Sequence, residues 1–304
     1  MSNAFATRQF LNFASLSSSN AGTGKLFLID DEPRFPYYEV IKKDQDIILN
    51  FVVTPICFSG PHKINFENFF AAIGSEDNFF VGGFLQTRCT SVPSENFHTF
   101  GDYHAYFDDR INFRISLSLD DKDYISSLRR NSRYAVRKIL NFEKDYSLAT
   151  FRGDLRELEQ FSKLYDATAT RVGFKTKYQF TFSQWRGLLE SDSWNLYLLY
   201  FRSNLIGGAV IASVETGYDY TFIANDPNVT DSSRALLYFV RRELASHSNK
   251  VLDIGGGINE DDYLAHYKRS MGGEPVQFLR CKFGRQSLFR DTTHAQDLLS
   301  SHWP

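Results

Sequence analysis

Between Trp194 and Asp226 three apolar stretches, WNLYLLYF, LIGGAVIASVE and YDYTFIAND, are separated only by RSN and by TG. Connections that short cannot hold a crossover, so the three segments must pair as an antiparallel meander. Downstream, DSSRALLYFVRRELASHSN shows a helical apolar period behind an Asp/Ser start and leads into the short strand VLDI. A loop and helix bounded by Gly272 and Gly273, then the strand PVQFLRCKFG, complete a β-β-β-α-β-α-β order. No other feature constrains the chain as tightly, and the expected class is α+β, an α/β mixed sheet with helices packed on it.

The segment VLDIGGG, Val251 to Gly257, invites a different reading. A strand running into a glycine turn is how a Rossmann-type sheet brings its backbone against a nucleotide. Such a turn follows the first strand of a doubly wound sheet, yet only 47 residues lie beyond Gly257. They cannot supply the missing βα units, and no G-x-x-x-x-G-K-[ST] loop occurs either.

Ahead of the meander, DKDYISSLRRNSRYAVRKILNFEKD places Ile125, Leu128, Ala135, Val136 and Ile139 on one helical face. Arg129, Arg133 and Arg137 fall at i, i+4 and i+8 beside it, and Arg130 and Lys138 extend the charge on the exposed side. The whole chain has 34 Lys and Arg against 36 Asp and Glu, so this cluster is a local basic stripe in a slightly acidic protein. It suits phosphate or carboxylate groups, and equally an ordinary solvated helix face. A second helix, DLRELEQFSKLYDATATRVG, has Asp154 as its N-cap, Arg171 at its end and Gly173 as its stop. A short helix, SQWRGLLE, follows the polar link FKTKYQ.

Residues 1–24 read as a flexible lead-in ending in SLSSSNAGTG. From Lys25 to about Asp120 the strands are KLFLID, YYEVI, IILNFVVT, FFVGGFL, YHAYFD and INFRISLSL, with YYEVI and IILNFVVT forming a hairpin and Asn65 to Ile73 a short helix. His62, His98 and His104 read as surface or core histidines. The expected division is a lead-in (1–24), an N-terminal half (25–120), a C-terminal domain (121–285) and a polar tail (286–304).

With 42% hydrophobic and 23% charged residues the chain is not a mostly disordered one. It has no run near the roughly 18 apolar residues of a membrane span. The start MSNAFATRQFLNF lacks a secretory apolar run, and Cys57, Cys89 and Cys281 suggest neither a disulfide framework nor a zinc site. A cytoplasmic location without a metal is expected.

The basic helix SLRRNSRYAVRKI, the helix end ATATRVGF, the block LIGGAVIASVETGYDYTFIANDP, the helix SSRALLYFVRREL and VLDIGGGINEDDYLAHYKRSMGGE resemble, in that order, the C-terminal half of the FemAB-like branch of the GNAT acyltransferase superfamily. The resemblance covers about Asp120 to Phe283. The N-terminal half is compatible with the partner GNAT-like domain of two-domain members, in degenerate form. What it implies is a core in which two adjacent parallel strands splay apart and expose backbone groups to an acyl carrier. Members of this family move an acyl group to an amine. Peptidoglycan bridge enzymes use aminoacyl-tRNA and a cell-wall precursor; CelD-like relatives are assigned as acetyltransferases of polysaccharide or envelope gene clusters.

The family's Phe-Lys-x-x-Phe-Gly element stands here as Tyr267-Lys268-Arg269-Ser270-Met271-Gly272. The resemblance implies that Lys268 meets the oxyanion of aminolysis and that Tyr267 lines the acyl or adenine pocket. On its residues alone, Lys268 reads as a surface lysine on a short helix. The resemblance further implies an anion clamp at Arg129, Arg133 and Arg137 with Arg171 nearby, and a carrier site at Ser232, Ser233, Arg234 and Ile254, where pyrophosphate would meet backbone N–H groups. The glycine-rich Q/R-x-x-G-x-G/A loop is absent there, so acyl-CoA (acetyl-CoA) and aminoacyl-tRNA both stay open as co-substrate. His266, Asp253, Asp261 and Asp262 are candidate general bases, beside substrate-assisted transfer. The expected function is an N-acyltransferase acting on the amine of a small cell-envelope or polysaccharide precursor, free or nucleotide-linked. The alternatives are a catalytically inert GNAT-like module that binds nucleic acid or a nucleotide-sugar, and a structural partner protein.

Overall fold

The computed structural model describes residues 24–29, 32–41, 47–50, 80–87, 95–173, 179–214, 217–247, 250–256, 262–286, 291–293 and 295. The expected lead-in up to residue 23, the helix over Asn65–Ile73, His62, Asp261 and most of the polar tail lie outside these residues. In chain order the elements are β1 (Gly24–Ile29), β2 (Glu32–Ile41), β3 (Ile47–Asn50), β4 (Phe80–Thr87), β5 (Phe97–Phe100), β6 (Tyr103–Ser116), α1 (Asp121–Ser127), α2 (Arg130–Leu140), β7 (Tyr146–Thr150), α3 (Leu155–Val172), α4 (Phe182–Leu189), β8 (Trp194–Phe201), β9 (Asn204–Val214), β10 (Gly217–Asn225), α5 (Ser232–His247), β11 (Val251–Gly256), α6 (Tyr263–Ser270) and β12 (Glu274–Arg285). From β8 onward this is the expected β-β-β-α-β-α-β order. YHAYFD and INFRIS form one continuous strand, β6, which runs through Asp108 and Asp109 without a turn.

The chain divides into two compact units. The described residues of Phe5–Arg110 and Gln277–Pro304 make one: β1, β2 and β3 pair antiparallel in succession, β3 runs parallel to β4, and β4 pairs antiparallel with β12. The expected YYEVI/IILN hairpin is the β2–β3 pair. β5 folds back on β6, and on β6 Asp108 binds the guanidinium groups of Arg110 and Arg280.

The other unit spans Ile111–Val276, with sheet order β6-β11-β10-β9-β8-β7. All neighbours are antiparallel except β10 and β11, which the α5 crossover makes parallel. The two-residue turn between β8 and β9 puts Arg202 (φ 49°) and Ser203 (φ 68°) in the left-handed region without a glycine. Arg202 offsets that strain by donating two side-chain hydrogen bonds to Asp145 and its backbone N–H to the Asp145 carbonyl.

Two adjacent glycines on β9 show that both faces of this sheet are covered. A Cβ on Gly207 would meet Leu236 of α5, and a Cβ on Gly208 would meet Phe161 of α3. On the α5 side the core draws on α1, α2, α5 and α6, with Leu128, Val136, Ile139, Leu236 and Val240 buried. On the α3 side Phe161, Tyr165, Phe180, Trp185, Trp194 and Phe222 pack edge-to-face and stacked, so part of the chain's 16% aromatic content is sheet core. α4 opens on a capping box in which Thr181 and Gln184 satisfy each other's backbone N–H. Thr181→Ala is expected to lower unfolding stability by about 1 kcal/mol in a urea titration, since it removes the hydroxyl half of that box.

The basic segment is two helices, not one. Asp120 caps α1, and then Leu128 (ψ 146°) and Arg129 (ψ 154°) are extended before α2 begins. Leu128 is buried at this joint, and the Arg133 guanidinium donates to the carbonyls of Ser126 (2.5 Å) and Leu128 (2.8 Å), filling acceptors at the end of α1. No helix among the described residues is long and apolar enough to cross a membrane.

Candidate active site

β10 and β11 stay paired for three rungs: Gly217 with Val251, Tyr218 with Leu252 and Asp219 with Asp253. Beyond that rung β10 continues against β9 to Asn225, while β11 turns toward β6, where Gly256 meets Asn112. The two parallel strands therefore part after Asp219 and Asp253. The glycines make this possible. Gly255 adopts φ +71°, and Gly256 lies so close to β6 that a Cβ there would sit 2.6 Å from the Ile111 carbonyl oxygen. VLDIGG is thus a strand that swings away from its neighbour, not a nucleotide-binding turn.

Asp253 pins the bend. Its Oδ1 accepts from the Gly255 N–H (2.9 Å) and from Asn112 Nδ2 (3.1 Å), and its Oδ2 accepts from Arg114 Nε (3.3 Å). The carboxyl is fully enclosed, and that burial pushes its pKa up against the pull of these donors.

Lys268 reaches this point from α6, whose first turn is capped by Asp262 through the Ala265 N–H. The side chain is buried, and Nζ donates to the Gly256 carbonyl at 2.6 Å. Burial lowers its pKa to about 8, with Asp253, Asp219 and Asp262 pulling it back up. Its neighbour Tyr267 is half-buried, with the Arg234 guanidinium 5.8 Å above its ring. Burial raises that phenol to about 12, although Ser233 and Arg234 favour the ionised form.

The α5 entrance lies beside this pair. Arg234 pairs with Asp231 (2.5 Å) and also reaches Ser132 of α2 (3.4 Å), and Ser132 in turn hydrogen-bonds Ser270 at the end of α6. Ser232 is tied to Asn225 and to the Asp226 carbonyl. The N–H groups of Asn228, Val229 and Ser232 are already bonded within the loop, and Asp226 and Asp231 add carboxylates. Asp231 thus takes up the Arg234 guanidinium that would otherwise face a pyrophosphate at this entrance.

The remaining candidates divide between the two faces. The Arg129 N–H donates to the Ser270 carbonyl, which fastens the start of α2 two residues from Lys268. Arg129, Arg130, Arg137 and Lys138 are exposed, as is Tyr134, and none of these four cations forms an ion pair among the described residues. Exposed cations elsewhere, such as Lys163, Arg186 and Arg202, do have carboxylate partners. Arg133 is engaged with the α1 carbonyls. Arg171 ends α3 on the opposite face, so the structure does not bring it to the stripe. Ile254 is buried in the core, His266 is exposed, and Asp262 serves as a cap. On the α3 face an open groove of about 490 Å³ is lined by Arg156, Glu159, Lys163 and Asp166 with Phe180 to Phe182, and it gathers none of the candidates. No group of three His, Cys, Asp or Glu side chains among the described residues is placed to hold a metal ion.

Sequence reasoning passes over Asp219, Arg114 and Asn112. The available signal is a single carboxylate inside each of two otherwise apolar strands, YDYTFIAN and VLDIGG. Their pairing into one rung is a matter of strand register, which the sequence does not state.

No protein-family model matches this sequence, and no curated protein matches it either. Its fold is shared with solved structures. FemX superposes with a TM-score of 0.58 at 14% identity, covering 89% of this chain and 90% of FemX. A conserved protein of unknown function from Bacteroides thetaiotaomicron gives 0.59 at 9% identity, covering 93% and 92%. The C-terminal domain of a putative lysylphosphatidylglycerol synthetase from Agrobacterium fabrum gives 0.57 at 8% identity, covering 98% and 91%. These likenesses show that the chain shares its fold with FemX and with the lysylphosphatidylglycerol synthetase domain.

Proposed function

We propose that the protein is an N-acyltransferase whose reaction takes place where β10 and β11 part. The observation that carries this reading is Lys268, a buried ammonium fixed on the Gly256 carbonyl beside that gap. Aminolysis joins the amine nitrogen to the carbonyl carbon of an ester or thioester. The carbonyl electrons pass onto oxygen and return as the C–O or C–S bond breaks, and the amine's proton ends on the leaving group. Lys268 would face the transient oxyanion, and in a site shielded from water such a donor is worth several kcal/mol.

Aminoacyl-tRNA fits the surroundings better than acyl-CoA. At the α5 entrance Arg234 is already taken up by Asp231, while α2, fastened beside Lys268, offers Arg129, Arg130, Arg137 and Lys138 unpaired around exposed Tyr134. Free cations interleaved with an aromatic suit a nucleic-acid backbone. The acceptor in this reading is an amine of a small cell-envelope or polysaccharide precursor, free or nucleotide-linked, and the reaction is cytoplasmic. The names FemX and lysylphosphatidylglycerol synthetase support envelope chemistry as the class.

The test offers the purified protein acetyl-CoA and charged tRNA in parallel, following binding across a salt series and transfer to amines by mass spectrometry. Charged tRNA is expected to bind, with an affinity that falls as salt rises. Changing Arg130, Arg137 and Lys138 to alanine is expected to flatten the log–log salt slope by roughly 2–3. Binding by acetyl-CoA alone would overturn the donor assignment. Salt-dependent tRNA binding with no transfer from either donor would favour the second reading, an inert nucleic-acid-binding module, which the same unpaired face supports.

A further inference from the structure

Arg114 on β6, Asp253 on β11 and Asp219 on β10 are register partners, so three charged side chains lie in one row across three neighbouring strands. The row is the last paired rung before the strands part. Asp253 is fully enclosed and Asp219 is 6% exposed, and side chains at one register position of parallel strands project from the same face. Two carboxylates side by side inside a sheet repel each other and lose hydration, so a fold retains them only with compensating charge and hydrogen bonds.

That compensation is present and it is divided. Arg114, Asn112 and the Gly255 N–H all go to Asp253, and Thr221 donates to Asp219 at 2.8 Å. The second cation beside the pair is Lys268, entering from α6: its Nζ sits on the Gly256 carbonyl and 3.2 Å from where a Cβ on Gly255 would be, the residue whose N–H binds Asp253. The charges around its ammonium are Asp253 and Asp219 from the strands, Asp262 from the start of its own helix and, beyond Asp253, Arg114.

We propose that Asp219 and Asp253 are positioning residues for Lys268: with Arg114 they form a buried charged rung that holds the lysine ammonium, charged and aimed, at the mouth of the gap. The proposal rests on Lys268 being the group that meets the oxyanion. It gives Asp253 a role other than general base, since that carboxylate already accepts three hydrogen bonds and has no access to solvent. It also explains why an aspartate interrupts the aromatic strand YDYTF. Desolvation alone would drive Lys268 toward its neutral form, and the two carboxylates oppose that.

The test needs no substrate. In protein labelled at lysine Cε and Nζ, the Lys268 signal is assigned by its loss in Lys268→Met and titrated by NMR in the wild type, Asp219→Asn and Asp253→Asn. Both asparagine variants keep the side-chain shape, and circular dichroism checks that each is folded. The Lys268 midpoint is expected to fall by roughly half a pH unit or more in each variant. An unmoved midpoint in folded Asp219→Asn overturns the proposal, even if Asp253→Asn does not fold. Once a donor is in hand, the same substitutions should move the basic limb of kcat to lower pH by the same amount and leave KM unchanged. A shifted midpoint without detectable acyl transfer would uphold the rung while removing the acyltransferase reading.

Discussion

Replacing Lys268 by methionine lowers the turnover of acyl transfer by roughly 10²–10³-fold and leaves the donor KM within about threefold. The expected size follows from where the charge develops. A ground-state carbonyl carries little negative charge, so the ammonium adds little to donor binding, whereas the tetrahedral oxyanion meets a fixed cation that needs no reorganisation. Methionine keeps most of the buried volume at a site only 9% exposed, so a loss of rate would not be a loss of packing. Arginine would be a poor control, because its broad guanidinium has to fit where Nζ sits 3.2 Å from where a Cβ on Gly255 would be. The pH profile separates two roles for one residue. As an oxyanion partner Lys268 must be protonated, so turnover should fall as pH rises through about 8. Turnover that instead rises through that pH would make neutral Lys268 the proton acceptor. Full turnover in the methionine variant would remove it from the chemistry.

Much of the C-terminal unit can be read from local chemistry. Asp154 and Gly173 bound α3 as their residue types require, one as an N-cap accepting from the Arg156 N–H and the other in the left-handed conformation at the stop. The meander follows from turn length alone. What escapes a sequence reading is non-local. The apolar spacing from Ile125 to Ile139 looks like one helical face, but the extended Leu128–Arg129 joint divides it, and the break is held by Arg133 reaching back to α1. The stripe therefore loses Arg133 as a free cation. In the site, Lys268 is legible only through the family motif, and Gly255 and Gly256 only as small residues of undecided purpose. Their purpose depends on β6 passing within contact of Gly256, a neighbour about 140 residues earlier in the chain. Asp219 and Asp253 belong to the same class, since neither becomes notable until the strand register places them side by side.

Stability should also carry the imprint of this lysine. Its folded pKa, about 8, lies below its ordinary value of 10.5. Below pH 8 the amine is charged in both states, and the folded state bears the whole cost of burying that charge. Between about 8 and 10.5 the unfolded chain still binds the proton while the folded protein has released it, so unfolding free energy rises with pH. The gain approaches about 3 kcal/mol when the window has been crossed, at 1.36 kcal/mol per pH unit. Other groups titrate nearby. Lys282 is also lowered and adds a rise of its own, whereas Cys281 and several tyrosines, Tyr124, Tyr220 and Tyr267 among them, are raised and take stability away above about pH 9–10. The informative quantity is therefore a difference. Urea titrations of wild type and Lys268→Met at pH 7, 8, 9 and 10 share every other group, and the wild type is expected to gain on the variant steadily from about pH 8 upward. A gap between the two proteins that stays constant over that range would mean that Lys268 is as well solvated folded as unfolded. The ammonium would then lie in open water and not in its buried place on the Gly256 carbonyl.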